Sequence, residues 1–97
     1  MPRTPRRVEP TTAFRRDFRR ESRGPYRAKL DALLRPVLAS LAADETLPPA
    51  DRDHPLSGEW GDCRECHVRP DLLLVYRKPD SDVLQLIRLG SHSELFG

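Results

Sequence analysis

The sequence contains no run of about 18 apolar residues, so no segment reads as a membrane-spanning helix. Its arginine-rich opening, "MPRTPRRVEPTTAFRR", has the charge of a signal peptide but lacks the apolar stretch that must follow, which leads to the expectation of a cytoplasmic protein. Cysteine is scarce. Only Cys63 and Cys66 are present, and in a reducing compartment they are not expected to be joined. With His67 they spell C-x-x-C-H, the pattern of covalent haem attachment. That attachment takes place on exported proteins, and the sole methionine is Met1, so the usual sulfur axial ligand is missing too. Structural zinc is equally disfavoured, because no second Cys/His pair at finger-like spacing completes the corner. The expectation is a protein without haem, metal or other cofactor.

What is present is charge. Of the 97 residues 33% are ionic and 37% apolar, which describes one small domain, residues 1–97, with a thin core and a heavily ionised surface. The formal charge of +2 hides an asymmetry: residues 1–27 carry nine arginines against three acids, whereas the remainder is net negative. A strongly cationic end suits a polyanion such as RNA or an acidic partner, or else is a solvated helix face.

Residues 6–10 read as a short first strand ended by Pro10, and the order of residues 1–10 is not fixed by their pattern. Thr11 or Thr12 offers an N-cap for "AFRRDFRRESR", with Phe14 and Phe18 one helical turn apart. Gly24-Pro25 breaks that helix. A second, from Tyr26 to Asp44, carries a stripe of Leu30, Leu33, Leu34, Val37, Leu38 and Leu41 at the spacing of an amphipathic core helix, and Pro36 falls on its solvent side. Residues 45–62 form a long polar connector. Strand-like runs follow at 63–68, 72–78 and 83–89, separated by the turns "RPD" and "PDSD". The expected architecture is α+β: two amino-terminal helices on a small, mainly antiparallel sheet of three to four strands. Ser91 and Glu94 have the form of a capping box, so a helical turn is expected to close the chain.

Strand parity decides the cysteines. Residues i and i+3 on a strand face opposite ways, which suits neither a disulfide nor one metal ion. Cys66 shares parity with Val68 and is expected in the core; Cys63 shares parity with Glu65 and His67 and is expected on the other face.

All three histidines, His54, His67 and His92, lie at element edges in the second half. Asp71, just past the Arg69-Pro70 corner, is expected to reach His67 and orient its ring. Histidine as a residue type exchanges protons near neutral pH, so three that converge can cut RNA: two move protons and a third, or an arginine, balances charge. His54 and His92 are the expected acid/base pair, in an order left open, with His67 supporting the transition state and Phe96 stacking on a base.

The segments "DHPLSGEWGDCRECHVRPDLLLVYRK" and "LIRLGSHSELFG" contain D-H-x-L-x-G-x-W, H-V-x-P-D and G-[ST]-H-x-x-L-F-G in order. In these motifs the chain resembles the YafQ branch of the RelE/ParE superfamily of bacterial toxin–antitoxin systems, densely over residues 45–97 and in outline before. The resemblance implies a RelE-like fold and a ribosome-dependent mRNA endonuclease that cuts codons in the ribosomal A site, with a cognate antitoxin, the ribosome with its rRNA, and mRNA as partners. By position it implies His54, His67, Asp71 and His92 as catalytic residues and Phe96 as a substrate contact; Arg64 and Arg88 match more loosely. Leu72 stands where some members have tryptophan. Two rivals keep the fold: a ParE-like toxin binding DNA gyrase without nuclease chemistry, and an inactive RNA-binding relative.

Overall fold

The computed structural model describes residues 4–97. The part of the amino-terminal expectation that falls on residues 1–3 lies outside them. The elements, in chain order, are β1 (Arg7–Pro10), α1 (Thr12–Glu21), α2 (Leu30–Ala42), β2 (His54–Pro55), β3 (Arg64–Arg69), β4 (Leu72–Arg77), β5 (Val83–Gly90) and α3 (His92–Phe96), with single 3-10 turns at Pro49–Asp51 and Gly58–Trp60.

The sheet has five strands, in the order β1-β5-β4-β3-β2. β3, β4 and β5 form the expected antiparallel meander. Two features correct the expectation. The fifth strand is β2, only two residues long and therefore without a readable alternation, paired antiparallel to β3. β1 pairs parallel to β5, making the sheet mixed. α2 also starts later than expected, at Leu30, because residues 22–29 are spent in turns around Gly24-Pro25.

The two faces of the sheet bury different sets. On one, Cys66, Leu74, Tyr76, Leu84 and Leu86 pack under Phe14 of α1 and Leu30, Leu34, Val37 and Leu41 of α2. Pro36 is exposed, as its place opposite the stripe requires. On the other face Cys63, Leu73, Val75 and Leu95 form a smaller cluster with Trp60 and Phe96 at its edge. The cysteines thus lie on opposite sides. Both are free and buried, and burial pushes the thiols up to about 11 for Cys63 and about 12 for Cys66.

β1 covers only the first half of β5: it ends at Pro10, opposite Leu86, and the Thr11 N–H makes a last backbone bond to the Leu86 carbonyl at 3.0 Å. Side chains of the following segment take over the open edge. Thr11 Oγ1 donates to the Leu86 carbonyl at 2.8 Å and accepts from Phe14 N–H at 3.2 Å, which makes it the N-cap of α1. Asp17 accepts the Leu89 N–H at 3.0 Å, and Arg20 Nη2 donates to the Leu89 carbonyl at 2.8 Å. An aspartate with 0% exposure thus substitutes for a neighbouring strand.

Candidate functional site

Strand register places the site residues. Directly opposed residues share a face, so His54, Glu65, Val75 and Arg88 form one row across β2, β3, β4 and β5. His67, Leu73 and Gly90 form the next row. This is the face away from α1 and α2. Gly90 clears the way for α3: a Cβ there would lie 2.5 Å from Arg20 Nη2, 3.1 Å from Glu94 Oε1 and 3.3 Å from Leu95 Cδ2. With no side chain at 90, the chain turns back and α3 folds onto the row. Its cap is the expected one, with Ser91 Oγ accepting Glu94 N–H at 3.1 Å and Glu94 Oε1 accepting Ser91 N–H at 2.8 Å. Glu94 also pairs with Arg20 at 3.1 Å, tying α3 to α1.

The outcome is a cavity of about 300 Å³ lined by His54, Leu56, Trp60, Glu65, His92 and Phe96. Phe96 lies 5.4 Å from the His92 ring and meets Trp60 edge-on at 5.8 Å. His67 stands beside His54, ring centres 6.4 Å apart. Between them lies Glu65, 6% exposed, with Oε2 3.2 Å from His54 Nε2 and 3.9 Å from His67 Nε2. Its other oxygen, Oε1, is buried without a hydrogen-bond partner among the described residues. His54 Nδ1 lies 2.6 Å from the Arg52 carbonyl oxygen. Both ring nitrogens of His54 therefore face oxygen atoms. His92 is exposed, and its imidazole makes no hydrogen bond among the described residues.

Three of the predicted residues have partners outside the histidine group. Asp71 does not engage His67: its carboxylate accepts the Tyr26 hydroxyl, which pushes the Tyr26 phenol above its ordinary range. Pro70-Asp71 forms a two-residue turn, and the β-bulge between His67 and Arg69 precedes it. Arg64 is opposed to Tyr76, hence on the helix-covered side, where both hydrogen-bond Asp53 Oδ1, at 3.2 and 2.5 Å. It does not join the histidines. Arg88 stands in the His54 row but gives Nε and Nη2 to Asp17, at 2.6 and 3.3 Å. Glu65 was missed, although its parity with His67 was legible: a carboxylate two positions from a strand histidine shares its face.

The site thus gathers imidazoles, a buried carboxylate and an aromatic wall on one face of a small α+β scaffold. The family model described as "Bacterial toxin of type II toxin-antitoxin system, YafQ" matches residues 6–97, and the chain belongs to that family. It is 45% identical over 62 residues to the mRNA interferase toxin YafQ of Escherichia coli K12, an alignment covering 62% of this chain and 66% of the relative, just under two thirds of its length. In fold it is similar to a copper-bound mutant toxin from Helicobacter pylori, with TM-score 0.84 and 40% identity over 96% of this chain and 100% of that one. The E. coli DinJ-YafQ toxin-antitoxin complex gives TM-score 0.81 and 32% identity over 97% and 100%. Among the described residues no group of three or more His, Cys, Asp or Glu side chains is arranged to hold a metal ion. No helix among them is long and apolar enough to cross a membrane.

Proposed function

We propose that the chain is an mRNA interferase of a type II toxin–antitoxin system, acting in the cytoplasm on message held in the ribosomal A site and restrained by a cognate antitoxin. Family membership supports the class. The observation that carries the chemistry is the cavity shared by His54, Glu65, His92 and Phe96.

RNA cleavage without a metal needs a base to take the 2′-OH proton, a group to balance charge on the phosphate, and an acid to protonate the departing 5′-oxygen. His92, with no hydrogen-bonding partner among the described residues, has a ring nitrogen available as the base. His54 is the acid in this reading: Nδ1 stays hydrogen-bonded to the Arg52 carbonyl, and Nε2 turns its proton from Glu65 to the departing 5′-oxygen when substrate is bound. His67, beside the same carboxylate, supports the transition state by hydrogen-bonding a phosphate oxygen. Arg88, fixed by Asp17, has N–H groups left for a phosphate oxygen. Phe96 offers a face on which a base can stack. Glu65 takes the orienting part that the sequence suggested for Asp71. The exposed Arg15, Arg16, Arg19, Arg23 and Arg27 form a cationic surface suited to ribosomal RNA.

The test is single-turnover cleavage of a message bound in the A site of 70S ribosomes. His54→Gln and His92→Gln are each expected to lose about 100-fold or more. A 5′-bridging phosphorothiolate leaves without protonation. It is expected to rescue His54→Gln and not His92→Gln; rescue of the other variant reverses the assignment. Cleavage of free mRNA at the same rate contradicts ribosome dependence, and loss of cutting on chelation of transition metals by phenanthroline contradicts the metal-free reading.

A further inference from the structure

His67 stands beside the His54 ring, at 6.4 Å, and lines a neighbouring cavity. Beyond the one that holds His54 and His92 lies a second, of about 330 Å³, lined by Asp51, Arg52, His67, Val68, Arg69 and Pro70. Its walls come from the 3-10 turn at 49–51 and from the end of β3, where the bulge after His67 redirects the strand.

Two arginines line it. Arg52 ends the 3-10 turn in the left-handed region, with φ 49°, a conformation a bulky residue keeps only where its surroundings hold it. Those surroundings are visible. Its N–H donates to the Pro49 carbonyl at 3.1 Å, and its own carbonyl faces His54 Nδ1 at 2.6 Å. One residue therefore anchors the His54 ring and lines the neighbouring cavity. Arg69 arrives from the other wall. Unlike Arg64, Arg77 and Arg88, which are all ion-paired, neither Arg52 nor Arg69 has a side-chain hydrogen bond or ion pair among the described residues. The Asp51 carboxylate shares the cavity, and one carboxylate against two guanidiniums leaves it cationic.

We propose that this cavity is a subsite for the phosphate of the nucleotide next to the one cleaved. Arg52 and Arg69 bind that phosphate, and His67 lies between the two positions. The planar fork of arginine matches phosphate oxygens in pairs, and contacts to a non-reacting phosphate hold the scissile one in register. The inference rests on the reading of the His54–His92 cavity as the cleavage site.

The experiment is single-turnover cleavage of A-site message on 70S ribosomes, with all-phosphate RNA and with RNA carrying a neutral methylphosphonate at each linkage flanking the cut. Arg52→Gln and Arg69→Gln are each expected to slow cleavage about ten-fold, the size of one lost charge-assisted hydrogen bond. A methylphosphonate at one flanking linkage is expected to slow the wild type comparably and to add nothing in the double variant. Both side chains are exposed, so unchanged melting is expected; should a Gln variant melt early, the Lys variant replaces it, with an intermediate rate expected. The proposal is overturned if the double variant stays within about two-fold of wild type while His92→Gln is inactive. It is equally overturned if the methylphosphonate and variant losses multiply, which places the arginines on ribosomal RNA instead. Full activity of His92→Gln overturns the underlying reading and this subsite with it.

Discussion

Glu65 Oε2 lies 3.2 Å from His54 Nε2 while its twin oxygen Oε1 is buried with no hydrogen-bond partner among the described residues. Oε2 also lies 3.9 Å from His67 Nε2, so this carboxylate faces both imidazoles. Glu65→Gln keeps the shape and removes the charge. It is expected to slow cleavage by about 10-fold to 100-fold, the range of a lost charge-assisted hydrogen bond, with thermal melting little changed. Single-turnover rates and melting curves of the same preparation check both halves.

Asp17 predicts an acid limit to stability. Burial opposes its ionisation, but the Arg88 hydrogen bond, the Leu89 N–H and the charges of Arg88 and Arg20 outweigh burial, and its pKa lies below the ordinary value. A carboxyl with a lower pKa folded than unfolded adds stability above its unfolded value, about 3.9, and that increment is lost as pH falls through the folded value. Denaturant midpoints are expected to drop below about pH 4 in the wild type and to drop less in Asp17→Asn. Asp17→Ala, which takes away the Arg88 partner and leaves the Leu89 N–H unsatisfied, is expected to cost about 3–5 kcal/mol at pH 7.

The Tyr26–Asp71 contact separates a structural from a chemical part for Asp71. Tyr26→Phe and Asp71→Asn both weaken this exposed bond, each costing less than about 1 kcal/mol in stability. If the aspartate only holds the turn, the two variants cleave alike. A deficit confined to Asp71→Asn assigns it to the reaction.

Gly90→Ala is expected to cost about 1–3 kcal/mol, because its methyl meets an Arg20 guanidinium already held by Asp17, Glu21, Glu94 and the Leu89 carbonyl. Displacing Arg20 also loosens Glu94 and the cap of α3, so cleavage is expected to fall beyond the loss in folded protein. Rates normalised to the folded fraction decide this.

Cys63 and Cys66, with thiols pushed up to about 11 and about 12, are expected to resist Ellman's reagent in the native protein and to react together on unfolding. Rapid native labelling of either one contradicts their burial.

Local chemistry was readable from the chain alone. Thr11 and Ser91 as caps, the Leu30–Leu41 stripe with Pro36 turned outward, and the opposite facing of Cys63 and Cys66 follow from periods of 3.6 and 2 and from hydrogen-bonding groups within a few residues. Partnership across the sheet was not readable, because register depends on which strands meet. His54 faces Glu65 because β2 pairs with β3, and Arg64 leaves the site because the same register sets it opposite Tyr76. Asp71 sits four residues from His67 yet bonds Tyr26, 45 positions away, since a bulge and a two-residue turn set its direction more strongly than nearness in sequence does. The sequence by itself determined which side chains could move a proton; the tertiary structure alone decided which of them share a cavity, because distance in space is set by strand pairing and by what a glycine at position 90 lets the last helix cover.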